Sequence, residues 1–170
     1  AGAPLKEGDN MRTRDAVLEY QKVLSDAGTL TIDLDLVDPV SALYLEFQAT
    51  NGATSNKGNY ISDVITKIEI VDGGKPLYEL PLNLLDALHF YKLKQSPGLF
   101  PSEWASGTQR HGAYLLFGRK LWDTEYAFNP KAYKNPQLKI GWDLAAVRTI
   151  DTTPSFATGT LKITATAKLM

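Results

Sequence analysis

Few stretches of this 170-residue chain place chemically capable side chains at useful spacing. Gly73-Gly74-Lys75 follows the strand-like stretch Ile68-Glu69-Ile70-Val71-Asp72 and raises the question of a phosphate cradle. A P-loop needs two glycines flanking four residues, then Lys-Ser/Thr, then a helix whose amide end faces the anion. Here Pro76 follows the lysine, and the next residues, Leu77 to Leu80, favour a strand. The glycines therefore read as a tight hairpin turn, where glycine supplies a positive φ.

The two histidines are separated, His89 in a leucine-rich segment and His111 in Thr-Gln-Arg-His-Gly-Ala-Tyr beside Arg110. Neither stands at HxH or HxxxH spacing, so metal binding has no support. A hydrolase would need a nucleophile and an orienting carboxylate around His111, and no nucleophile-elbow motif is present. Asp33 and Asp35 share one face of a strand about 6–7 Å apart, within range of a glycosidase pair. Charged residues on a wet sheet face are, however, the ordinary way to keep a sheet soluble. Three tryptophans complete the inventory. Trp142 alternates with Ile140 and Leu144 and reads as core, while Trp104 lies in an irregular stretch and is the best exposed aromatic. With Trp122 and nearby tyrosines it could form a sugar-stacking platform; exposed tryptophan is also enriched at protein interfaces.

The bulk numbers narrow the classes further. Hydrophobic residues make up 44% and charged residues 22%, and the formal net charge is −1. That balance is globular, and it carries no electrostatic footprint for nucleic acid. With no cysteine, disulfides, thiolate metal sites and a Cys nucleophile are all excluded. No apolar run approaches the roughly 18–20 residues that span a bilayer. The polar start, Ala-Gly-Ala-Pro-Leu-Lys-Glu-Gly-Asp-Asn, lacks the apolar centre of a signal peptide, and an alanine start is what methionine removal leaves. No cofactor is expected.

What must position any site is a set of strands. Leu30, Ile32, Leu34 and Leu36 alternate with Thr31, Asp33 and Asp35, the period of a strand with one buried and one wet face. Leu43, Leu45, Phe47 and Ala49 repeat the pattern against Tyr44, Glu46 and Gln48. Residues 64–72, 77–80, 112–121 and 137–145 read the same way, as does the C-terminal set Leu161, Ile163, Ala165, Ala167, Leu169. Residues 16–24 do not settle between strand and helix. One segment breaks the period: Leu84, Leu85, Leu88 and Tyr91 have helical spacing, with Asn83 as N-cap, Asp86 at N3 and Lys92 and Lys94 near the far end. Two irregular stretches remain, 97–113 and the Gly/Asn/Ser-rich 51–60, the second expected to be mobile. The reading is an all-β, antiparallel jelly-roll barrel or sandwich of about eight strands with one short helix. Residues 1–16 are expected to form an N-terminal arm and 17–170 a single domain.

The run from Ile61 to Gly98, ISDVITKIEIVDGGKPLYELPLNLLDALHFYKLKQSPG, joins a strand, a tight turn, a short strand and a leucine-rich helix ending in aromatics. It resembles major capsid proteins of tailless icosahedral viruses with an internal membrane. It is similar in particular to the single jelly-roll capsid proteins of the sphaerolipovirus group, whose members infect Thermus bacteria and haloarchaea. The chain's size is close to that of the smaller of the group's two major capsid proteins, and a net charge of −1 suits a thermophilic bacterial host better than a halophilic one. The resemblance implies a structural virion subunit with no enzymatic activity. It implies lateral association with copies of itself and with a second major capsid protein, over an internal viral membrane and without nucleic-acid contact. It places the protein in the virion, assembled in the host cytoplasm; a dimer is expected for the isolated subunit. The interface candidates are Asn51 and Lys57 in one loop and Trp104, Arg110 and His111 in the other. The reading from another class is a carbohydrate-binding sandwich, and a third is a β-sandwich hydrolase. A single concave pocket lined by both Trp104 and His111 would favour either of these over assembly.

Overall fold

The computed structural model describes residues 13–145 and 156–170. Among these residues nine strands form two antiparallel sheets. They are β1 (Arg14–Val23), β2 (Ala27–Asp33), β3 (Val40–Thr50), β4 (Ile65–Asp72), β5 (Lys75–Leu80), β6 (Gly98–Phe100), β7 (Thr108–Leu116), β8 (Pro136–Asp143) and β9 (Lys162–Leu169). The first sheet has the order β1-β9-β3-β7-β6 and the second β2-β8-β4-β5. The chain crosses from sheet to sheet at nearly every connection, so sequence neighbours are rarely ladder neighbours. That crossing pattern is the jelly roll.

The alternation read from the sequence is the alternation of burial. Leu43, Leu45, Phe47 and Ala49 on β3 are fully buried, and so are Ile163, Ala165 and Ala167 on β9. They meet Ile68 and Ile70 of β4 and Leu138 and Ile140 of β8 in one hydrophobic cluster between the sheets. Each of the leucine, isoleucine and phenylalanine side chains among them contributes roughly 1.5–3 kcal/mol through removal from water. Residues 16–24, ambiguous in sequence, lie almost wholly in β1, which pairs with β9 at the sheet edge. Its two register shifts and the positive φ of Gln21 explain why no clean period shows there. The strand begins at Arg14, inside the stretch read as an arm; residues 1–12 of that arm lie outside the described residues.

Gly73 and Gly74 connect β4 to β5 as a two-residue loop with φ of 56° and 88°, and Asp72 pairs with Lys75 across it. Positive φ at both positions is the type I′ hairpin geometry, which follows the right-handed twist of the strands.

Three local expectations need correction. The helix α2 runs Leu82–Leu93 with Pro81, not Asn83, as its N-cap; Leu84 and Leu85 N–H donate to the Pro81 carbonyl at 3.2 and 3.1 Å. Its buried residues are Leu82, Leu85 and His89, whereas Leu84, Leu88 and Tyr91 face outward. The helix follows β5 without a loop, and the burial of both Leu80 and Leu82 at that junction sets its phase. Second, the 97–113 stretch is not all loop: it holds β6 and the start of β7. Gln109 and His111 occupy inward positions of β7 in line with Ala113 and Leu115, so no apolar alternation marked the strand. Third, residues 51–60 are tied down, as described below. A four-residue helix, α1 (Ile61–Val64), leads from them into β4.

Candidate assembly surface

The two irregular loops meet at one end of the sandwich. Asn51, at the end of β3, donates through Nδ2 to the Ser102 carbonyl at 2.7 Å and to the Trp104 carbonyl at 2.9 Å. Its Oδ1 accepts from Asn56 Nδ2 at 3.0 Å and from Gln109 Nε2 at 3.1 Å. Asn59 Nδ2 donates in turn to Asn56 Oδ1 at 2.9 Å. Backbone bonds run alongside, from Asn56 N–H to the Glu103 carbonyl and from Ser106 N–H to the Gly52 carbonyl. Asn51, Asn56 and Asn59 are each at most 1% exposed. A buried amide network of this kind specifies one loop geometry, because each partner left unpaired would cost its desolvation. The composition that suggested mobility in 51–60 instead supplies short side chains able to bond the neighbouring loop.

The interface candidates divide accordingly. Trp104 is 81% exposed, and Lys57 and Arg110 are also exposed. Asn51 and His111, each 1% exposed, sit inside the subunit and cannot offer side chains to a neighbour. Asn51 instead fixes the carbonyl of Trp104, and so the backbone that presents the indole. Trp104 and Lys57 line an open cleft of about 640 Å³ with Ser55, Pro101, Ser102 and Glu103.

His111 lines a different and smaller space, about 130 Å³, with Tyr60, Leu99 and Gln109. Its Nε2 lies 2.8 Å from Asp86 Oδ1 on α2. The tryptophan and the histidine thus do not share one concavity, so the arrangement that would favour a sugar site or a hydrolase is not formed. No group of three or more His, Asp or Glu side chains suited to a metal ion occurs among the described residues. Of the other tryptophans, Trp142 is core and donates Nε1–H to the Ser25 carbonyl at 2.7 Å. Trp122 is half-buried, its backbone N–H donated to Ser41 Oγ, in a loop held by Asp123. The Arg119 guanidinium and backbone amides beside Asp123 hold its carboxyl well down, at about 2.

Helix α2 has a structural task that sequence reasoning missed. β6 covers the outer edge of β7 only at Arg110, His111 and Gly112. Further along, α2 completes the cover with side chains: His89 Nδ1 accepts the Tyr114 N–H at 3.1 Å, and Lys92 Nζ donates to the carbonyls of Leu116 and Gly118. Burial lowers the pKa of His89 from its ordinary value, keeping the ring neutral and Nδ1 free to accept. An edge strand so capped is closed to unplanned pairing with another chain.

No protein-family model matches the chain, and no curated protein matches it. Solved structures do. The PBCV-1 capsid protein Vp54, fitted into a reconstruction of the virophage Sputnik, superposes with a TM-score of 0.70 at 10% identity, over 99% of this chain and 44% of that one. The major capsid protein of Sulfolobus turreted icosahedral virus gives 0.68 at 12% identity, over 94% and 49%. The atomic structure of that virus gives 0.63 at 12%, over 94% and 45%. This chain therefore spans a little under half the length of the proteins it matches. At such identities the likeness is one of fold, and the fold it shows is the antiparallel jelly roll of viral major capsid proteins.

Proposed function

We propose that the protein is a structural capsid subunit, a single jelly roll that builds an icosahedral shell by lateral association and performs no catalysis. The observation that carries this reading is the likeness to major capsid proteins over 94–99% of the chain, both sheets included. In this reading a capsomer is closed by several such jelly rolls standing side by side. Copies of itself and a second major capsid protein fill that role, above an internal membrane, in a virus of the sphaerolipovirus type that infects bacteria and assembles in the host cytoplasm. Lys57, Trp104 and Arg110 supply contacts to neighbours, aided by the N-terminal residues ahead of β1, and each weak contact gains from the multivalency of the lattice. The exposed indole on a braced loop suits an interface anchor, since it loses little freedom on binding. Mass spectrometry of purified virions from the source tests the reading: this chain is expected among the most abundant components, and its absence would end the claim.

A further inference from the structure

Among the described residues the two sheets present four edges, and three of them are blunted. β1 carries Arg14, Asp15, Glu19 and Lys22, and two register shifts break its pairing with β9. β5 contains Pro76, which has no N–H, and shifts register against β4. The outer edge of β7 is covered by the three-residue β6 and by side chains of α2. Charges, bulges, proline and short or covered strands are the usual guards against strand addition. β2 has none of these guards along its length. Its seven residues pair with β8 in unbroken register, without proline or a basic residue. Its one charge, Asp33 at the end, already accepts from Gln137 Nε2 at 2.8 Å.

The open groups on this edge follow from the ladder. Leu144 N–H donates to the Asp26 carbonyl, and Leu34 N–H to the Pro136 carbonyl. Bonded positions alternate along an antiparallel pair, so Gly28, Leu30 and Ile32 turn N–H and C=O toward β8. Ala27, Thr29, Thr31 and Asp33 turn theirs outward. The Ala27 carbonyl accepts from Ser25 Oγ at 2.8 Å. The backbone groups of Thr29, Thr31 and Asp33 have no partner among the described residues.

We propose that β2 pairs antiparallel with β2 of a second copy about a two-fold axis at Leu30, joining their two sheets into one. The inference rests on the proposed function in expecting a self-associating subunit, and it names the edge. Open backbone groups in a row require an extended strand, and the side chains select which. The other edges of a second copy carry the guards above, so its β2 is the one that matches over seven residues. The two-fold register sets Leu30 against Leu30 and Ile32 against Gly28. A Cβ on Gly28 would lie 3.1 Å from the Trp142 ring, so the buried face stays apolar across the seam. On the wet face Thr29 meets Thr31, a favourable cross-strand pair. Asp33 meets Ala27 and stands about 20 Å from its counterpart, at the opposite end of the strand. A parallel pairing would bring the two carboxylates together instead.

Hydrogen exchange reads the edge directly. The amides of Thr29, Thr31 and Asp33 should gain at least tenfold protection as the concentration rises through the dimer constant found by sedimentation equilibrium. Thr31→Pro removes an outward N–H that β8 does not use, and should weaken the dimer at least tenfold with an unchanged circular dichroism spectrum. Should Thr31→Pro fail to fold, Thr29→Lys with Thr31→Lys serves instead. A weaker dimer is then expected, with association restored on mixing with a protein carrying Thr29→Glu and Thr31→Glu. The chain has no cysteine, so a mixture of Thr29→Cys and Thr31→Cys proteins should cross-link on mild oxidation, while neither does alone. A wild-type monomer at micromolar concentrations, or a dimer whose β2 amides exchange freely, would overturn the proposal. So would a dimer untouched by these changes, or protection of the same amides in a monomer, which would assign the edge to a segment of the same chain. None of those outcomes bears on whether the chain occurs in virions, so the capsid reading stands or falls separately.

Discussion

His89 Nδ1 accepts the backbone N–H of Tyr114 at 3.1 Å, tying helix α2 to the outer edge of β7. The bond requires an unprotonated Nδ1, and burial lowers the pKa of this ring from its ordinary 6.5. Asp86 pulls the pKa up and His111 pushes it further down, both less than burial does. The unfolded chain takes up this proton as pH falls through 6.5, while the folded chain resists until lower pH. The unfolded state thus binds more protons below 6.5, and folding stability decreases on acidification through that window, levelling off below the folded pKa. Urea unfolding at pH 8 and pH 5.5 is expected to show this loss. In His89→Asn, whose side-chain oxygen can still accept but does not titrate, the loss should be smaller. Equal losses in both proteins would mean that His89 does not govern the dependence.

Asn51→Ala is expected to cost on the order of 3 kcal/mol, although Asn51 lies at the end of a strand and outside the hydrophobic cluster. The substitution takes a donor from the Ser102 and Trp104 carbonyls and an acceptor from Asn56 and Gln109. Stranded buried partners of this kind cost about 1–3 kcal/mol each, partly recovered by relaxation and water. Because the network braces both loops, limited proteolysis should cut within 51–60 and 101–107 in the variant and not in the wild type. A variant resistant to protease and unchanged in denaturant midpoint would show that the loops hold together without it.

The sandwich was legible because burial on one face imposes period two, and β3 and β9 keep it without interruption from Leu43 to Ala49 and from Leu161 to Leu169. The glycine turn was legible because Pro76 excluded the alternative. What could not be read were places where polar side chains occupy inward positions. Gln109 and His111 face inward to serve bonds with Asn51 and Asp86, and hydropathy has no signal for that. The same holds for Asn51, Asn56 and Asn59, whose loop composition is shared by buried networks and by flexible linkers. The helix was found, but its phase depended on the burial of Leu80 at the end of the preceding strand, a tertiary constraint that spacing within the helix does not contain.

Gly112 on β7 sits beneath Tyr44 of β3, whose hydroxyl occupies the place a Cβ would take. Tyr44 is itself held against Tyr114, ring centroids 4.8 Å apart. Gly112→Ala should therefore destabilise by about 1–3 kcal/mol, the usual cost of overpacking. Adding Tyr44→Phe removes the closest atom and should restore part of the loss, a positive coupling visible in a double-mutant cycle. Strict additivity of the two changes would place the strain elsewhere.

Core and assembly surface should respond oppositely to truncation of their largest side chains. Phe47, fully buried between the sheets, is expected to cost about 3–5 kcal/mol when changed to Ala, enough to unfold much of a marginally stable domain. Trp104, 81% exposed, lends almost nothing to the subunit's own packing, so Trp104→Ala should leave the denaturation midpoint within about 0.5 kcal/mol of wild type. If the indole anchors a neighbouring subunit, its loss must appear in assembly instead, as truncation of a buried aromatic anchor commonly costs about 2 kcal/mol or more per contact. Repeated around a capsomer, that deficit should strongly reduce particle yield in an assembly reaction with the proposed second capsid protein, seen by sedimentation or electron microscopy. Wild-type particle yield from Trp104→Ala, at unchanged subunit stability, would remove this loop from the lattice contacts.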